Sequence, residues 1–330
     1  MREEQDTSKN QQERDMKLTT QAMLTAMLAF AASSAFAAGG EIAVIVKSAD
    51  SNYWQNVKKG ATAAMADVKG GYTMTFQGPA AESDIAAEVN MVDNAVNRKV
   101  SGIVLAASDP DALVPAVKKA WEAHIPVVII DSALADSGKQ YYQAFLSTDN
   151  EKAGELCAQA LIDKVGPTGK VALMSYVAGA GSEVGRVGGF RKYLSAHSKL
   201  EVVGPFYSQS QMANALNQTT DVLAANPDLK GIFGANEPTA VGMGRALAQS
   251  GKAGKIVAIG FDGNEDLQGF IKNGTLQAIA VQGSYQMGFK GIQTVVGVIE
   301  KKSIPKFVDT GVVMVDKANI DLPVAKNVLY

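Results

Sequence analysis

The chain has 330 residues, 47% of them hydrophobic and 19% charged, enough apolar material for one large or two medium cores and too ordered a composition for wholesale disorder. Its 31 Lys and Arg against 33 Asp and Glu give a formal charge of -2, which argues against nucleic acid or an acidic membrane surface as the main partner. A single cysteine, Cys157, excludes an intramolecular disulfide, so stability must come from core packing.

Residues 1–37 read as a leader. Met1 to Asp15 is polar and charged, and Met16-Lys17 opens a different pattern that runs into an apolar segment, Gln21 to Phe36, too short to span a bilayer comfortably. Ala35-Phe36-Ala37 then sets small residues where a signal peptidase reads. The sequence predicts a secretory signal peptide starting at Met16, cleavage between Ala37 and Ala38, and an exported mature protein.

The mature part opens with Glu41 to Val46, an apolar run with no polar face, read as a strand buried on both sides. The loop Lys47-Ser-Ala-Asp-Ser51-Asn-Tyr53-Trp54 follows, and then a helix. Strands are predicted over Tyr72 to Gly78, Ser101 to Ala107, Ile125 to Ile130 and Tyr142 to Thr148, alternating with helices over Ser83 to Arg98 and Ala112 to Ala123. Asp149-Asn150 caps a helix whose stripe Ala153, Leu156, Cys157, Ala160, Leu161 makes Cys157 a buried small residue and not a nucleophile.

The alternation then starts afresh. Strands over Val171 to Ser175, Glu201 to Tyr207, Gly231 to Phe233, Ile256 to Gly260 and Gln277 to Val281 interleave with helices over Ser182 to His197, Gln211 to Ala225, Glu237 to Ser250, Glu265 to Lys272 and Tyr285 to Lys301. Strand–helix alternation at this spacing predicts parallel sheets, so the fold class is α/β, in two similar doubly wound lobes. Without a flexible linker between the halves, the lobes must be joined by strand-level crossings, placed at Thr148, Gln282 and Asp309. The N-terminal lobe is then 38–148 plus 283–309, and the C-terminal lobe 149–282 plus 310–330. Gly311 to Tyr330 reads as a short apolar alternation and an irregular tail on the surface.

Neither nucleotide fingerprint is present. The first loop lacks G-x-G-x-x-G, no G-x-x-x-x-G-K-[ST] occurs, and Gly179-Ala-Gly181 alone is weak. His124 and His197 lie at helix ends without metal spacing, and G-x-S-x-G is absent, so the sequence predicts no metal, no cofactor and no enzyme. What recurs is a polar residue just beyond an apolar strand: Lys47, Asp131, Asn236, Asp262 and Gln282. In open α/β sheets such positions converge on one rim. Their mixture of donors and acceptors suits vicinal hydroxyls. Taken singly, Asp131 or Asp262 could cap a helix, Asn236 could serve a turn, and Lys47 could be a solvated strand end. Tyr53, Trp54 and Phe261 offer apolar faces for a sugar ring, with core packing the plain alternative for Phe261.

On these residues the chain resembles a periplasmic binding protein of the ribose/galactose type, the sugar receptor of an ABC importer. The resemblance covers the whole mature chain and is carried by Ser51-Asn52-Tyr53-Trp54, Ile125 to Ser132, Ser147-Thr148-Asp149-Asn150, Arg186-Val-Gly-Gly-Phe190, Phe233-Gly-Ala-Asn236-Glu237, Gly260-Phe261-Asp262-Gly263 and Val281-Gln282. It implies two lobes crossed by three strands, a monosaccharide in the cleft, hinge bending on binding, a permease as partner and a monomeric protein. Arg186 enters the expected site through this resemblance, as do Ser51 and Ser132. The chain departs from the ribose branch at Lys47, Ser51 and Ser132, where that branch has Ser, Asn and a second Arg. It also lacks an aromatic near Gln209 to Gln211. D-ribose is not the expected ligand. A receptor for another small polar ligand, such as a polyol or an autoinducer-like signal, is the neighbouring reading. A LacI-type repressor shares the fold but needs a helix-turn-helix that the residues before Glu41 do not supply.

Overall fold

The computed structural model describes residues 39–330, and the signal peptide expected over 16–37 lies outside them. By internal contacts the described residues fall into two units, Gly39 with Lys69–Tyr72, and Gly40–Val68 with Thr73–Tyr330. The second holds every strand and helix that follows.

Its first sheet is built from β1 (Glu41–Ile45), β2 (Thr73–Gln77), β3 (Gly102–Leu105), β4 (Val127–Ile130), β5 (Ala144–Ser147) and β11 (Phe307–Asp309), in the order β11-β5-β4-β3-β1-β2. β3 and β4 are buried along their whole length, as expected of strands covered on both faces. Helices α1 (Asn52–Asp67), α2 (Ile85–Asn97) and α3 (Val114–Glu122) connect the strands. α9 (Ser284–Ile299) returns from later in the chain to pack on α1 and against β3, β4 and β5. α1 and α9 approach backbone to backbone: a Cβ on Gly288 would collide with the carbonyl oxygen of Val57.

The second sheet contains β6 (Thr168–Ser175), β7 (Lys199–Tyr207), β8 (Leu229–Gly234), β9 (Val257–Phe261), β10 (Ala278–Gln282) and β12 (Val312–Asp316), in the order β12-β10-β9-β8-β6-β7. α4 (Asn150–Val165), α5 (Gly181–His197), α6 (Met212–Ala225), α7 (Glu237–Gln249) and α8 (Glu265–Asn273) complete this lobe. Each lobe therefore repeats a doubly wound order with its switch point beside the first strand, at β1/β3 and at β6/β8. The chain passes between the sheets three times, at 148–149, at 283 and at 310–311.

Two features depart from the sequence reading. The second sheet is not wholly parallel, because β12 pairs antiparallel with β10. β11 runs parallel in the first sheet, and only Thr310 and Gly311 separate it from β12. The strand thus enters the second sheet from the carboxyl end of its neighbours. The last segment is also no loose surface tail: α10 (Pro323–Lys326) buries Ala325, and Val328 and Leu329 pack on the second lobe's core. Among the described residues no helix is long and apolar enough to cross a membrane.

Candidate functional site

The carboxyl ends of both sheets face a small cavity of about 20 Å³, with room for about one water between its walls. Two aspartates frame it from equivalent positions. Asp131 follows β4 and Asp262 follows β9, both with left-handed backbones (φ 62° and 76°), and each N–H bonds the next strand, to Leu146 and Ala280. That backbone is disfavoured for most side chains and tolerated by Asp, and it turns each carboxylate off the strand end.

On the first wall the Lys47 ammonium lies 2.7 Å from Asp131 Oδ2. It also donates to Ser132 Oγ at 2.5 Å and to Ser182 Oγ at 3.4 Å. All three Lys47 donors therefore have protein acceptors, and Lys47 fixes Asp131 instead of ending in solvent. Ser132 donates to Asp131 Oδ2 at 2.8 Å and accepts the backbone N–H of Ser182 at 3.2 Å, so this cluster spans the two lobes. Ser51 caps α1 by accepting the Trp54 N–H at 3.3 Å. Tyr53 and Trp54 follow in the first turn as an edge-to-face pair, centroids 4.8 Å apart. The Tyr53 hydroxyl donates to Asp131 Oδ1 at 3.1 Å, and the Trp54 Nε1–H to Glu82 Oε1 at 3.0 Å.

On the second wall Arg186 is 2% exposed and carries its charge into the core. Its guanidinium donates to Asn150 Oδ1 (2.8 and 3.2 Å), to the Ala235 carbonyl (2.6 Å) and to Gln282 Oε1 (3.3 Å), and it lies 3.5 Å from the Phe261 ring centroid. Four of its five donors are thereby engaged. Gln282 passes the polarity on, donating to Asp262 Oδ1 at 2.9 Å, while Asp262 Oδ2 takes the Glu237 N–H at 3.0 Å. Asn236 caps α7 through its oxygen, which accepts the Thr239 N–H at 3.2 Å. Tyr330, from the final segment, donates its hydroxyl to Glu237 Oε2 at 2.8 Å.

The matched aspartates titrate in opposite directions. Burial pushes Asp131 up, but the Lys47 charge and hydrogen bonds overcome it and hold the carboxyl below its usual range. For Asp262 burial wins, only partly offset by Arg186, and raises it to about 6. Burial, with Asp262 adding to it, raises Glu237 to about 8, so at neutral pH this group keeps its proton. Cys157 is fully buried, and burial pushes its thiol far up, which removes it as a nucleophile. Among the described residues there is no group of three or more metal-ligating side chains. The chemistry on offer is hydrogen bonding of hydroxyls between aromatic faces.

Of the residues singled out from sequence, Lys47, Ser51, Tyr53, Trp54, Asp131, Arg186, Asn236, Asp262 and Gln282 line the cavity together. Ser132 and Phe261 do not. Ser132 stands one shell behind Asp131. Phe261, 0% exposed, is no stacking face, because the Arg186 guanidinium lies between it and the cavity. Tyr53 and Trp54, read from sequence as part of a polar loop, lie in the first turn of α1 and are both buried. Glu82, Tyr176, Ser182, Glu237 and Pro238 line the cavity without having been singled out. Tyr176 sits directly after β6 and shares the strand-end signal of Asp131. Ser182 and Glu82 carry no local signal, since their partners lie far away in the chain.

The sequence profile described as "Periplasmic binding protein domain" matches residues 42–303. The D-allose-binding periplasmic protein of Escherichia coli K12 is 30% identical over 269 residues, 80% of this chain and 86% of that protein. The ribose import binding protein of the same strain is 28% identical over 288 residues, 87% and 94% of the two chains. Among solved structures, an ABC transporter solute binding protein from Agrobacterium vitis with bound D-fucose is 71% identical, with a TM-score of 0.87, covering 88% of this chain and all of that one. A carbohydrate transporter solute binding protein from Agrobacterium radiobacter in complex with D-arabinose is 33% identical, with a TM-score of 0.84, covering 89% and all of the respective chains.

Proposed function

Because the chain belongs to the periplasmic binding protein domain family, we propose that it captures a monosaccharide in its interlobe cavity and delivers it to an ABC importer, with D-fucose the first sugar to test. One observation carries this reading: donors and acceptors from both lobes line one cavity, with Trp54 and Tyr176 supplying aromatic surface. A pyranose needs that combination, since its hydroxyls both give and accept hydrogen bonds and its C–H faces prefer rings. The activity is binding, not catalysis. The protein works from the periplasm, its leader removed between Ala37 and Ala38, which N-terminal sequencing of the exported protein tests.

Closure is the transport signal. Thr148, Gln282 and Asp309 stand at the three crossings and serve as hinges. Two of these crossings lie side by side, since Thr148 Oγ1 bonds the Gly311 carbonyl at 3.2 Å and the Thr310 N–H bonds Ser147 at 3.0 Å. A ligand favours the closed state only through contacts made to both lobes, so the Asp131 and Asp262 walls must hold the same sugar. Titration calorimetry of residues 38–330 against D-fucose, D-allose, D-ribose and D-arabinose tests the function. Saturable heat with at least one sugar is expected, D-fucose the tightest. A flat trace together with an unmoved melting temperature for all four would sink the reading.

A further inference from the structure

Glu82 belongs to no motif considered so far, yet it is the one cavity carboxylate with an oxygen committed to each lobe. It lies in the loop between β2 and α2. Oε1 accepts the Trp54 indole N–H at 3.0 Å within the first lobe, and Oε2 accepts the Ser210 hydroxyl at 2.6 Å from the second. Ser210 Oγ in turn accepts the Asn236 amide at 2.9 Å. Hydrogen-bond direction is fixed along this chain. Ser210 has one proton, which goes to Glu82, so it can only accept from Asn236, whose oxygen is committed to the α7 N-terminus. Gln209 and Ser210 both have left-handed backbones (φ 58° and 55°), a conformation most side chains avoid, and the Gln209 N–H bonds the Tyr176 carbonyl at the end of β6. This turn presents the serine hydroxyl to the opposite lobe.

We propose that Glu82 is a cleft latch and a specificity-determining residue of the cavity. Its bond to Ser210 forms only when the lobes meet, and the same carboxylate then holds the Trp54 ring on one wall and, through Ser210, the Asn236 amide on the other. A ligand hydroxyl directed at this wall meets an acceptor that both lobes have locked. The ligand part rests on the monosaccharide reading; the latch does not.

Two measurements separate them. D-fucose affinity is determined by calorimetry for wild type, E82A, E82Q, S210A and E82A/S210A. The closed population is read by pulsed electron double resonance between spin labels at Asp111→Cys and Arg191→Cys, exposed positions on opposite lobes, with buried Cys157 left unlabelled. Each single variant is expected to weaken D-fucose binding at least tenfold and to deplete the closed population. E82Q should lose no more than E82A, because its one amide oxygen can accept the Trp54 N–H or the Ser210 hydroxyl but not both. The double variant should lose no more than about threefold beyond E82A, since both changes cut one connection. Binding within twofold of wild type in E82A and S210A, or losses that multiply independently, overturns the proposal. Tight D-fucose binding with a closed population indifferent to E82A removes the latch and leaves the sugar reading standing. A wild type that ignores D-fucose but whose closed population still depends on Glu82 does the reverse, and a wild type with no closed population under either condition overturns the latch.

Discussion

Arg186→Lys keeps the buried charge and removes the fork, which makes it a direct test of how the second wall is built. The guanidinium serves three acceptors, Asn150, Ala235 and Gln282, all within the second lobe, and stacks on Phe261 at 3.5 Å. An ammonium on a shorter reach can serve one or two of them and loses the planar contact. Each buried acceptor left unpaired costs about 1–3 kcal/mol, and a desolvated cation–π contact is worth about 2 kcal/mol. These contributions are not additive, because one side chain makes them together, so a net loss of about 2–4 kcal/mol is expected. At about 2–4 °C per kcal/mol for chains somewhat smaller than this one, the sugar-free melting temperature should fall by about 5–15 °C. Affinity should fall with it, since Gln282 loses the partner that aims it at Asp262. Calorimetric melting and sugar titration of the same preparation read both. A variant that melts within about two degrees of wild type and binds sugar equally well refutes this account of the wall.

Lys47→Met should destabilise the sugar-free protein by about 3–5 kcal/mol in calorimetric melting, the cost of breaking a buried pair, because it strands Asp131 without its cation at 2.7 Å. Glu88→Gln should stabilise the protein at alkaline pH. Glu88 is fully buried, burial raises it to about 7, and one of its oxygens has no partner. A carboxyl raised on folding contributes stability that is present below its unfolded value and lost as pH rises through the folded one. The melting advantage of Glu88→Gln should therefore grow from pH 5 to pH 8, approaching about 2–3 kcal/mol, and an advantage independent of pH would contradict it. Cys157, buried and with its thiol pushed up, should resist thiol reagents in the native protein and react at once in denaturant; fast native labelling would show the core reading to be wrong.

The strands were legible because burial on both faces leaves runs such as Val127 to Ile130 with no polar positions at all. Where a strand ended, the next polar residue could be placed on the rim by topology alone, which is how Asp131 and Asp262 are found. Three features escaped that logic for identifiable reasons. β11 has three residues, too few for a period, and exists because it pairs with β5. Glu82 and Ser210 are 128 positions apart, and only the meeting of the lobes makes them partners. Phe261 does follow the apolar pattern of its strand, but sequence cannot reveal that a guanidinium covers its face.

The repeat of the lobes explains more than the fold. Asp131 and Asp262 occupy the same strand position, with the same left-handed backbone and the same bond to the neighbouring strand, so local structure makes them equivalent. Their partners do not. Lys47 touches Asp131 directly, whereas Arg186 donates to Gln282, which donates to Asp262. A cation in contact outweighs burial, and a cation one side chain away does not, which is why one carboxyl is lowered and the other raised to about 6. The cavity thus sets a firmly ionised acceptor on one wall against a carboxyl near its titration point on the other, beside Glu237 that keeps its proton.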